Sequence, residues 1–193
     1  MELTTDIIKE LREKTGVSVM QCKKALEEAN GDLAQAEVIL KKRSAASAEK
    51  KSDREFGAGA IGTYVHEGAI GAMVLLACET DFVSKNPEFE ALAREIAMHV
   101  AATDPKYLRP EDISEEQKNA AIAVFEKELE GKPEEMKAKI MEGKLASYFS
   151  DQVLTEQTYI KDESKTIRAL LNEATQKFGE RVEVTQFARF SAR

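Results

Sequence analysis

An apolar run, Val74 to Cys78, gives way to Glu79-Thr80-Asp81-Phe82-Val83-Ser84-Lys85 and then to Asn86-Pro87. The run has the length and residue types of a buried strand. Asn86-Pro87 reads as a helix N-cap followed by a proline at the first helical position. Between them an aromatic ring, Phe82, stands next to an acid, Asp81, on a loop held at both ends by regular structure. Loops held in this way are where binding residues concentrate. Physics alone leaves two roles open to the ring, a plug in its own core or a contact for a partner.

No enzyme site emerges elsewhere. His66 and His99, the two histidines, have no histidine or cysteine at ligand spacing. Cys22 and Cys78 lie far apart with no CxxC pattern and read as reduced, buried thiols. Gly57-Ala58-Gly59-Ala60-Ile61-Gly62 matches GxGxxG in letters only, because it precedes a strand instead of opening a helix. No Ser/His/Asp set has a recognisable local signature. The expectation is a chain that is not an enzyme and needs no cofactor or metal. A formal net charge of -7 disfavours a nucleic-acid partner, since a phosphate backbone needs a cationic face. No run approaches the ~20 apolar residues that span a bilayer, and the first residues lack the regions of a signal peptide.

The elements that must position the loop follow from periodicity and caps. At 42% apolar and 33% charged, the 193 residues read as a soluble α+β protein. Residues 1–43 form three short helices. The first carries Ile7, Ile8 and Leu11 and stops at Thr15-Gly16. The second places Val19, Cys22, Leu26 and Ala29 on or near one stripe, and the third offers Leu33, Ala36, Ile39 and Leu40. Ser18/Gln21 and Asp32/Gln35 have capping spacing. Residues 44–56, alanine-rich and charged, read as a partly helical connector.

Residues 57–193 read as an α+β core, a small antiparallel sheet covered by helices. Strands are expected at 61–65 and 69–78 around a Glu67-Gly68 turn. Glycines at 57, 59, 62 and 71 suggest close backbone approach or bulges. A helix from Pro87 to about Ala102 follows, then a helical hairpin over about 114–149. Its first helix opens at a Ser114/Gln117 capping box and stops at Gly131-Lys132-Pro133. Ser164 is expected to open a further helix, and Arg181 to Thr185 alternates as a last strand extended by Phe187 and Phe190.

Four segments in order resemble one family. Cys78-Glu79-Thr80-Asp81-Phe82-Val83 is similar to the signature of elongation factor Ts, as are Leu11 to Gly16 with Met20 to Leu26 and Ala29-Asn30-Gly31-Asp32. Ile96 to Ala102 with Pro110-Glu111-Asp112, and Glu142 to Leu145 with Leu154 to Gln157, match further segments. The resemblance implies a ubiquitin-associated-like N-terminal domain and a guanine-nucleotide exchange factor for the GTPase elongation factor Tu. Phe82 would be a wedge entering the GTPase and disturbing the magnesium and phosphate side of its nucleotide site. Asp81 would hydrogen-bond groups near magnesium, while Thr80 and Val83 would shape and pack the loop. Arg12, Met20 and Lys23 match positions facing the GTPase, and His99 matches a histidine near the interface. Longer family members carry two related core subdomains, whereas this chain has room for one. The resemblance therefore implies a homodimer binding two partner molecules, in the bacterial cytoplasm, with the C-terminal strand and its alternating Val182 and Val184 as a site for pairing. An adaptor binding through the three-helix domain alone is the alternative.

Overall fold

Side-chain caps set most of the helix starts in the computed structural model, which describes residues 4–129 and 134–192. Helix α1 (Thr5–Thr15) ends at Gly16, and α2 (Val19–Glu28) begins where the Ser18 hydroxyl accepts the Gln21 N–H. Helix α3 (Leu33–Glu49) begins at Asp32, whose carboxylate accepts the Gln35 N–H at 3.0 Å. Leu11, Cys22, Leu26, Ala36 and Leu40 interlock as one buried cluster between these helices. Val19, expected on the buried stripe, is exposed, and Val17 is buried instead. The residue before the cap folds back as a hydrophobic staple onto Cys22, whose thiol donates to the Val17 carbonyl, so the place is already filled. Helix α3 also runs past residue 43 into the alanine-rich segment, burying Ser44 and packing on the helix over Ile167–Phe178.

Strands β1 (Ala58–His66) and β2 (Ile70–Cys78) pair antiparallel around a turn in which Glu67 and Gly68 both have positive φ. Ala72, Val74 and Leu76 face inward from β2. The segment expected as a loop is a single helical turn, α4 (Asp81–Ser84), with Thr80 at its N-cap. Helix α5 (Pro87–Thr103) starts one residue after Lys85–Asn86, where the Asn86 side chain accepts the Glu88 N–H. Its inner stripe of Phe89, Ala93, Ile96 and Val100 covers the sheet. Each such buried large side chain contributes roughly 1.5–3 kcal/mol.

After a 3₁₀ turn at Pro110–Asp112, helices α6 (Glu115–Glu128) and α7 (Glu134–Ser150) form the expected hairpin, opened by a complete Ser114/Gln117 capping box. The expected stop at Gly131-Lys132-Pro133 lies outside the described residues. Strands β3 (Thr158–Tyr159) and β4 (Asp162–Thr166) form a small hairpin that periodicity did not foresee. Ser164 belongs to β4, so helix α8 (Ile167–Phe178) opens instead at Thr166, whose hydroxyl accepts the Ala169 N–H. Ser164 spends its hydroxyl and its N–H on Asp162.

Strand β5 (Glu183–Ser191) pairs with the far side of β2, giving the order β1-β2-β5. A bulge at Thr185, between the Leu75 and Leu76 registers, exchanges the faces of the strand. Val182 and Val184 point inward before it, whereas beyond it Phe187 is half-buried and Phe190 is exposed. One face of the sheet therefore lies under α5, and the other presents Ile61, Val65, Met73 and Phe190.

The helix meets the sheet most closely at Gly62. A β-carbon there would lie 2.1 Å from the carbonyl carbon and oxygen of Ala93, both backbone atoms of α5 that cannot swing aside. Gly62→Ala should therefore force α5 off β1 and cost about 3 kcal/mol, the upper range for overpacking. Thermal unfolding should register this as a midpoint lowered by roughly 6–12 °C.

Candidate functional site

The β2–β5 ladder ends at Ala77–Glu183, and from there side chains replace strand neighbours as partners for the backbone. The N–H groups of Glu79 and Thr80 both donate to Oε2 of Glu180 at 3.0 Å, and the Thr80 hydroxyl donates to Oε1 at 2.5 Å. In return the Arg181 N–H donates to Oε1 of Glu79 at 2.7 Å, and Arg54 Nη1 reaches both Glu79 oxygens at 3.1 and 3.2 Å. Arg181 donates to the Arg54 carbonyl at 2.6 Å and lies 4.3 Å over the Phe56 ring. Burial pushes the Glu79 carboxyl up, but the Arg181 N–H and the Arg54 guanidinium outweigh it and hold it below the usual range.

This cross-brace delivers the chain into α4. The Ser84 and Lys85 N–H groups donate back to the carbonyls of Thr80 and Asp81, and Val83 is buried in the main core. Burial, with the charge of Glu180 behind it, pushes the Cys78 thiol up to about 11, so it stays protonated at neutral pH while donating to the Thr80 carbonyl. The ring of Phe82, by contrast, is 84% exposed, the most exposed large apolar side chain among the described residues. Asp81 beside it is exposed and paired with Lys85 at 2.6 Å, whose hydrogen bond and charge hold its carboxyl below the ordinary value. The turn thus offers a ring with no packing partner beside an ionised carboxylate, an arrangement suited to contacting another surface.

The remaining candidate residues separate into two groups. Arg12 on α1 and Met20 and Lys23 on α2 are exposed, Met20 at 68%. Lys23 makes only a long i,i+4 pair with Glu27 at 3.8 Å, which binds weakly in water. Helix α2 is joined to the end of α8, where Gln176 donates to Gln21 at 2.8 Å. The next residue, Lys177, pairs with Glu88 at the start of α5. The end of α8 therefore touches both the N-terminal helices and the elements that carry Phe82.

His99 stands apart from these. It is completely buried on α5, with Nε2 2.9 Å from Gln157 Oε1 and Nδ1 facing the Ile160 N–H. That pairing makes Nδ1 the acceptor and Nε2 the donor of a neutral imidazole. Its environment is that of an internal strut joining α5 to the β3–β4 hairpin. Among the described residues, no group of three or more His, Cys, Asp or Glu side chains is placed to hold a metal ion, and no helix is long and apolar enough to cross a membrane.

Sequence reasoning reached Thr80–Val83 but missed Glu180, Arg181 and Arg54. The only local signal was a charged pair directly after the Gly179 helix stop. Nothing in the spacing ties residue 180 to residue 80.

The family model described as Elongation factor TS matches residues 2–193. The chain is 46% identical over 191 residues to elongation factor Ts of Thermotoga neapolitana, covering 98% of this chain and 97% of that protein. The chain belongs to the elongation factor Ts family. It is 44% identical over 192 residues to the Solibacter usitatus protein, covering 98% of this chain and 91% of the relative. It is also 44% identical over 191 residues to that of Thermodesulfovibrio yellowstonii, covering 98% and 96%. Membership in the elongation factor Ts family makes it a translation elongation factor.

Burial of His99 carries a pH signature. Desolvation lowers its folded-state value below the ordinary ~6.5 and outweighs the opposing Gln157 hydrogen bond. The unfolded chain therefore binds the proton first on acidification, so this stabilisation is present above about pH 6.5 and is lost as pH falls below it. Urea unfolding between pH 7.5 and 5 should show stability falling with acidification. The slope should flatten in His99→Gln, which does not titrate.

Proposed function

We propose that this member of the elongation factor Ts family is a guanine-nucleotide exchange factor acting on elongation factor Tu. The observation that carries the reading is the exposed ring of Phe82 on a turn braced from within its own chain. An exchange factor needs no chemistry of its own and no cofactor. It must bind the nucleotide-free GTPase more tightly than the GDP form, and linkage makes GDP release and factor binding favour each other. A coupling of about 3 kcal/mol changes the relative affinities by roughly 150-fold.

In this reading Phe82 wedges into the GTPase, displacing packed groups without leaving an unpaired polar group behind. Asp81 exchanges its exposed Lys85 partner for groups that hold the magnesium side of the nucleotide site. Thr80 and Val83 hold the turn at its start and from beneath. Arg12, Met20 and Lys23 form a second contact on the N-terminal helices. His99, being buried, would act by supporting α5 and not by touching the partner. The organisation that suits this work is a ubiquitin-associated-like unit at 1–43, a connector at 44–56 and a core at 57–193. The setting is the bacterial cytoplasm.

The same reading includes a homodimer carrying two molecules of elongation factor Tu. Its support is the outer face of the sheet, where Ile61, Val65, Met73 and Phe190 are exposed on three adjoining strands. Contiguous apolar faces of this kind mark interfaces, and a second copy would present the same face in return. Val65→Glu should convert the dimer to a monomer, read as halved mass by light scattering on a sizing column.

Release of a fluorescent GDP analogue from elongation factor Tu tests the exchange itself. The wild-type chain should accelerate release strongly. Phe82→Ala should lose about 10²-fold of the stimulation, the scale of the coupling above, while still binding the partner. Binding without any acceleration by the wild type would leave an adaptor instead.

A further inference from the structure

Helix α8 stops at Gly179, whose φ of 77° turns the chain back toward the end of β2. Glu180, the next residue, then accepts three hydrogen bonds with one carboxylate: Glu79 N–H, Thr80 N–H and the Thr80 hydroxyl. All three donors come from the two residues that immediately precede Asp81 and Phe82.

Phe82 is exposed, so its direction follows from the backbone of α4 and not from packing of the ring. A four-residue helix cannot hold itself together in water. It needs anchors, and three are visible. Val83 is buried beneath it, Asn86 leads into α5 after it, and Glu180 holds the backbone before it. Glu180 acts on the side from which the chain enters the turn, taking both backbone N–H groups there, while Arg181 and Arg54 hold the Glu79 carboxylate and the Cys78 thiol meets the Thr80 carbonyl.

We propose that Glu180 is a positioning residue for the Phe82 wedge, holding Glu79–Thr80 so that the turn presents the ring in its binding direction before a partner arrives. The proposal rests on the exchange reading above and adds to it a residue about 100 positions away in sequence. The physical gain is preorganisation: a segment ordered in advance loses less freedom on binding.

The chain contains no tryptophan, so Phe82→Trp supplies a single fluorescent reporter on the turn. Time-resolved anisotropy of the free chain should show whole-molecule tumbling with a restricted fast component from the exposed ring's own rotation. Adding Glu180→Gln, which replaces one of the two acceptor oxygens by a donor, should introduce a large fast wobble. With native Phe82, Glu180→Gln should lower the stimulation of GDP release at sub-saturating factor by about ten-fold, the scale of lost preorganisation, with binding to elongation factor Tu weakened to a similar extent. Thr80→Val removes only the hydroxyl bond. It should give a smaller wobble of the same kind, and it tests the same brace if Glu180→Gln fails to fold. The two substitutions together should add less than their sum, since they remove one shared interaction.

Unchanged anisotropy in both variants overturns the proposal, and so does a loosened turn that still stimulates fully. A wild-type chain that leaves GDP release unchanged would sink the exchange reading, and this proposal with it. That result is told apart from the others because it appears before any variant is compared.

Discussion

The backbone of Ala93 rests directly on the backbone of Gly62, and much of the molecule is arranged around that contact. With no side chain between them, α5 lies against β1, and its inner stripe reaches Ala72, Val74 and Leu76 on the middle strand. The crossing also fixes where α5 begins. Because Asn86 caps α5 only two residues after Ser84, the position of α4 is tied to the same crossing. An exposed aromatic ring can thus be held in a definite place although it packs on nothing itself.

A second constraint acts from the other end of the chain. Helix α8 meets α3 along its length, and at its C-terminal end contributes Gln176 to the N-terminal helices, Lys177 to Glu88 and Phe178 to an edge-on contact with Phe89 at 5.6 Å. Glu180 then closes the brace on Thr80. One short stretch of sequence therefore joins both exposed candidate surfaces to the core. The acidic groups at these junctions are met by backbone N–H groups and arginines, so their charge favours order instead of opposing it. The buried His99 does comparable work further along α5, where a neutral ring ties the helix to Gln157 and Ile160.

A surface that works by binding needs direction and rigidity more than titratable groups. The shifts that do occur near the turn keep Asp81 and Glu79 ionised and the Cys78 thiol protonated. Each side chain thereby keeps one charge state across the neutral range, which suits a fixed contact surface.

What the sequence determined by itself were features whose causes lie within a few residues. The caps at Ser18, Asp32, Asn86 and Ser114, the inner stripe of α5 and the turn at Glu67-Gly68 are of this kind, and each stands where its residues predict. The turn with Phe82 was legible because a strand and a capped helix bracket it. Tertiary structure decided the rest. Val17 displaced Val19 from the first core because the staple onto Cys22 had already filled the space. Ser164 lost the start of α8 to Thr166 because it lies within β4 with its N–H and hydroxyl turned to Asp162, while the Thr166 hydroxyl caps the helix. The bulge at Thr185 turned Phe190 outward, a change of face that no alternation in the strand announces. Glu180 met Thr80 only because a β-sheet and a helix end bring positions 100 residues apart within hydrogen-bonding reach. Local patterns carry local energies, but which distant groups meet depends on the packing of the whole chain.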